Sequence, residues 1–197
     1  MKTLGYVLVA VLLAAALLTC GVWLAVHDEV ARLQTLARVA KPVPPVMREA
    51  IFAMQGPSFL QRPRLVLRTD GPLSRRRKAI ETYVVGRVVG SETLLRVYAH
   101  ELYLGRIGGR DILGIEAASD VYFGKNAAQL TPAEAATLAS MIPSPNVVSP
   151  VRYPERALSR RNRLLERMRQ LRYLSDAEYE RAVAEPLLTR GAAAKSL

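Results

Sequence analysis

The sequence predicts a mainly α-helical protein in which an N-terminal transmembrane helix precedes a single helical domain. Three observations point there. Gly5–Val26 carries no charged residue. Helix boundaries are marked repeatedly by Pro, Gly and Ser/Thr-x-x-Glu patterns. Alternating runs of β-branched and aromatic residues, the mark of strands, are nearly absent. At 197 residues the chain holds one domain besides the anchor.

The elements follow in order. After a short terminus, 1–4, the 22 residues of 5–26 would span ~33 Å as a helix, enough to cross a bilayer core. A cleaved lipoprotein signal competes with that reading, because Leu17-Leu18-Thr19-Cys20 resembles its cleavage box. The apolar run, however, continues past Cys20 to Val26. Residues 27–45 read as a stalk and linker: 28–40 could extend the helix, and Lys41-Pro42-Val43-Pro44-Pro45 would break it. A helix is expected over 46–54, stopped by Gln55-Gly56-Pro57. Residues 56–74, with Gly56, Pro57, Pro63, Gly71 and Pro72, read as loop with one short extended piece at 65–67.

Residues 75–89 read as a helix with Ile80, Val84 and Val88 along one side. Ser91 is expected to cap the next helix, which runs to about Leu104, and Gly105–Asp111 reads as loop. Residues 112–122 are apolar enough to be buried. Thr131-Pro132-Ala133-Glu134 opens a helix that ends at Pro143: a cap, a proline at the first helical position and a glutamate reaching back. Residues 154–171 form a basic helix. Ser175-Asp176-Ala177-Glu178 opens a last one, and 186–197 is a flexible tail.

The formal net charge of +11 is concentrated in two places. Seven basic residues fall between Arg62 and Lys78 against one acid, Asp70, and eight arginines fall between Arg152 and Arg172 against Glu155 and Glu166. A basic domain beside a membrane attracts anionic headgroups and diphosphates. A solvated helix face explains the second cluster equally well. Nucleic acid is not expected as a partner, because no helix-turn-helix pattern, stacking motif or zinc spacing accompanies the charge. The lone Cys20 excludes an intramolecular disulfide, and His27 and His100 are too few and too separated for a metal site.

Residues 91–168 carry the most informative pattern. Leu94, Leu95, Tyr98, Gly105, Gly114, Ile115, Ala117 and Ala118 lead into Tyr122-Phe123-Gly124-Lys125. Leu130 through Glu134, Pro143, Pro150 and Ala157–Asn162 follow. This stretch resembles the C-terminal half of a peptidoglycan glycosyltransferase domain (glycosyltransferase family 51), as in monofunctional transglycosylases and bifunctional penicillin-binding proteins. The resemblance implies a lysozyme-like helical domain over 46–185, here with a reduced small lobe. It also implies a bacterial inner-membrane protein with a cytoplasmic terminus and its domain in the periplasm. Charge count alone favours the opposite topology, since Lys2 precedes the span while Arg32, Arg38 and Lys41 follow it.

The family's motifs imply the site. In the first, a Pro-rich lead enters a helix whose Glu is the general base on the acceptor sugar hydroxyl. Pro44 to Phe59 fits that frame without a gap and places Gln55 at the base and Gly56 at the neighbouring Asp. A glutamine amide takes no proton at neutral pH, and losing a general base forfeits ~10²–10⁴ in rate. Glu49, six residues earlier, sits roughly 240° around the helix and is no obvious substitute.

The second motif is missing, unless Gln55–Gln61 is a remnant of it. The third survives as Arg77-Lys78-Ala79-Ile80-Glu81, which implies a surviving carboxylate, Glu81, with Arg77 and Lys78, and Lys125 further on, binding substrate. Cations at a developing diphosphate stabilise the leaving group, and the family admits a divalent metal there. In the fourth, Ser91 replaces a Lys, Arg96 a Glu, and His100 an Asn, His100 being read as a packed helix residue. Matches fall on packing positions and mismatches on polar ones. The expectation is therefore a domain that binds lipid II, a glycan strand or a cell-wall synthase without polymerising glycan. The alternatives are a residually active glycosyltransferase relying on Glu81 and a basic membrane-surface scaffold without a ligand.

Overall fold

In a computed structural model of the protein, the described residues are 27, 30–56, 59–61 and 87–189. The expected anchor at 5–26 lies outside them, and among the described residues no helix is long and apolar enough to cross a membrane. Residues 30–39 are helical (α1). They are followed by α2 (Pro45–Gln55), a 3-10 turn (Phe59–Gln61), α3 (Ser91–Glu101), β1 (Tyr103–Ile107), β2 (Arg110–Leu113) and α4 (Ile115–Phe123). A second 3-10 turn (Ala127–Gln129) leads to α5 (Pro132–Met141), α6 (Pro154–Gln170) and α7 (Asp176–Ala184).

The core is built around α5, in which Ala133, Ala135, Ala136, Thr137, Leu138, Ala139, Ser140 and Met141 are all buried. A helix of small residues lets neighbours approach closely, and α2 and α6 both pack on it. Helix α2 contributes Met47, Ala50, Ile51 and Ala53. Helix α6 turns Ala157, Arg161, Leu164, Leu165 and Met168 inward and leaves most of its other arginines on the outer surface. The capping boxes expected at Thr131 and Ser175 are present, each with its Glu bonded back to the cap backbone; caps of this kind contribute ~1 kcal/mol. Residues 30–45, read from sequence as part of a stalk and linker, send Leu33 and Val43 into the same core.

Three expectations are corrected. The stretch read as a loop after α3 is an antiparallel hairpin, with Ile107 opposite Arg110 across a two-residue turn at Gly108-Gly109. Both glycines have positive φ, +58° and +79°, the conformation a two-residue hairpin turn requires. The strands are too short to give a periodic signal, so the Gly-Gly pair was their main trace. Helix α3 stops at Glu101 rather than Leu104, because Leu102 is already extended and the strand begins at Tyr103. Ser91 is not a side-chain cap: Gly90, at φ +81°, occupies the cap position and no side chain bonds the first turn.

Candidate functional site

Helix α2 starts with Pro45 in its first turn and ends where Gly56 adopts φ +90°. That leaves Gln55 as the last helical residue, half-buried at the edge of the core. Its amide Nε2 donates to the Tyr98 hydroxyl on α3 at 3.1 Å. Behind the pair stands an aromatic wall: Phe59 meets Tyr98 at a centroid distance of 5.0 Å, and Phe52 meets Phe59 edge-on at 5.8 Å. Burial raises the Tyr98 phenol above its ordinary range, with the Gln55 bond opposing the shift. Tyr98 is therefore neutral at physiological pH and can hold either an amide or a carboxylate at position 55.

Seven residues before Gln55, Arg48 lies on the same face of α2, two turns away. Its Nη2 donates to Glu92 Oε2 at 2.7 Å, and Arg96 Nε donates to Glu92 Oε1 at 3.3 Å. The carboxylate on this side of α3 is thus held between two guanidiniums, one of them from Arg96, where the resembled family has a Glu. Glu49 faces elsewhere, as the helix geometry predicted. Its carboxyl is raised above the ordinary value first by burial and then by the nearby Glu178 of α7.

Of the other expected site residues, Lys125 is the one described. Lys125 Nζ donates to Glu134 Oε1 at 2.7 Å, and the second oxygen of Glu134 accepts from Thr131 N at 2.9 Å. Its charge is engaged in holding the start of α5. Arg77, Lys78 and Glu81 lie outside the described residues. His100, expected to be packed, is exposed in the last turn of α3, because Val97, Tyr98 and Ala99 take the inward positions there. Among the described residues no group of His, Cys, Asp or Glu side chains gathers to hold a metal ion. Sequence reasoning counted Tyr98 among packing matches and missed it as the partner of Gln55. The signal was an aromatic hydroxyl, which needs a polar partner when buried.

A transglycosylase family model matches residues 61–169, starting just beyond Gln55. Penicillin-binding protein 1A of Aquifex aeolicus is 35% identical over 127 residues, covering 64% of this chain and 17% of that protein. Penicillin-binding protein 1B of Vibrio cholerae is 34% identical over 124 residues, covering 62% and 16% respectively. The crystal structure of penicillin-binding protein 1A from Haemophilus influenzae aligns with a TM-score of 0.50 at 26% identity, over 76% of this chain and 18% of that one. The chain thus spans less than a fifth of the length of these relatives.

Proposed function

Because the chain belongs to the transglycosylase family, we propose that it is a membrane-tethered, degenerate member of cell-wall assembly. It binds the lipid-linked glycan, or a synthase working on it, and does not polymerise it. Residue 55 carries this reading. A carboxylate at the end of α2 would take the proton from an acceptor sugar hydroxyl as that oxygen attacks. The amide of Gln55 has no basic lone pair to receive it. Its Nε2 is spent on Tyr98, while its carbonyl oxygen can still accept a hydrogen bond from a sugar hydroxyl. Binding of the acceptor survives and its activation does not. The apolar run at 5–26 would anchor the domain at the bilayer surface, where Arg77 and Lys78 would meet the diphosphate of the lipid carrier.

The test is a lipid II polymerisation assay on the detergent-solubilised full chain, beside Gln55→Glu and a lipid II binding titration. No polymer with saturable binding is the expected result, and polymer regained by Gln55→Glu places the defect at that one position. Polymer from the native chain would overturn the reading and direct attention to Glu81. Neither polymer nor binding would overturn the glycan-binding reading and leave a synthase or the membrane surface as what the domain meets.

A further inference from the structure

Helix α6 presents a second feature that the first site does not use. Arg160, Arg163 and Arg167 line a groove of about 350 Å³ with Ala53, Met54 and Leu164 among its apolar lining. The spacing i, i+3, i+7 sets the three on one stripe, ~10 Å from first to last along the axis. Among the described residues, none of the three guanidiniums has an ion-pair or hydrogen-bond partner. Other arginines of the same helix are engaged. Arg161 is bonded to backbone carbonyls, Arg169 to Glu166 and Asp176, and Arg156 lies 5.0 Å from the centre of the Tyr153 ring. Glu166, one of the two acids in this stretch, is taken by Arg169 and Gln170.

Three like charges within two turns repel one another, and nothing local offsets them. The apolar lining lowers the local dielectric and strengthens the pull on an incoming anion. A guanidinium offers paired N–H donors that match the oxygens of a phosphate. The volume falls within the ~300–1,000 Å³ of small-ligand sites. We infer that this groove binds a ligand carrying adjacent phosphate groups, either a soluble diphosphate or the linked phosphates of an anionic lipid headgroup. The groove opens on another side of α2 from Gln55: Ala53 and Met54, in its lining, stand ~200° and ~100° around the helix from that residue. The inference therefore does not depend on what position 55 does.

The full chain in detergent is titrated calorimetrically with inorganic pyrophosphate at ~0.15 M ionic strength, and separately with a short-chain cardiolipin. Two double variants accompany it: Arg163→Gln with Arg167→Gln, and Arg110→Gln with Arg156→Gln. Both remove two exposed charges, and only the first pair faces the groove. Saturable binding of at least one probe is expected, weakened on the order of 100-fold in the first double variant and nearly unchanged in the second. Pyrophosphate alone would identify a soluble source, cardiolipin alone a headgroup. Failure of both probes to bind would overturn the inference, as would equal weakening in the two double variants, which would mark general attraction to positive charge. Unchanged far-UV circular dichroism in the first variant confirms that lost binding is not lost folding.

Discussion

Arg161 sits in the basic stretch that sequence alone could read as surface charge, yet only 1% of it is exposed. Its Nη1 donates to the carbonyl of Glu185 at 2.7 Å and its Nη2 to that of Val183 at 3.0 Å, while Nε reaches Asn162 Oδ1 at 3.0 Å. Carbonyls at the end of a helix have no partner within it, so Arg161 is the cap that ties the end of α7 to α6. Burial holds its guanidinium below the ordinary pKa, with Glu185 opposing. Arg161→Met keeps most of the volume and removes every donor. Each bond from a charged group to a buried acceptor contributes ~1.5–3 kcal/mol, and relief of the cation's desolvation returns part of it. The expected net loss is ~2–4 kcal/mol, a large fraction of a domain's ~5–15 kcal/mol. Urea unfolding of the detergent-solubilised chain, followed by circular dichroism, measures it. With a slope of ~2 kcal/mol per molar, the midpoint falls by roughly 1–2 M. Arg163→Met, two residues on and exposed, should stay within ~0.5 kcal/mol of the native chain. Equal midpoints for Arg161→Met and the native chain would refute the capping role.

Two further outcomes follow from the packing. At Gly114 (φ +84°) an added Cβ would stand 2.7 Å from the backbone oxygen of His100. Gly114→Ala should cost ~2–4 kcal/mol in the same urea experiment, and a loss under ~0.5 kcal/mol would show that the hairpin-to-α4 junction yields. Tyr122 donates to Leu104 O at 2.8 Å, and its phenol is pushed up to about 12, chiefly by burial. With the folded pKa above the ordinary ~10, this stabilisation is complete below pH ~10 and is lost as pH rises towards 12. Thermal melting against pH should show that decline in the native chain and a flatter one in Tyr122→Phe; parallel curves would contradict it.

Legibility differed from residue to residue. Thr131, Pro132 and Glu134 announced α5, and Ser175 and Glu178 announced α7, because a cap is a local contact among residues three apart. Glu49 could be set aside on helical angle alone. The hairpin was hidden because its strands are only five and four residues long. Leu33 and Val43 looked like spacer because their burial depends on surfaces elsewhere in the chain.

Side-chain identity and short-range geometry were enough for the mainly helical class, the starts of α5, α6 and α7, and the amide at position 55. Helix packing then sorts the cations into structural ones and available ones. Lys125 pairs with Glu134 and Arg161 with the end of α7, while Arg160, Arg163 and Arg167 face a groove without counter-ions among the described residues. A charge's role is fixed by whether burial supplies it with a partner, and partners distant in the chain meet only when the helices pack.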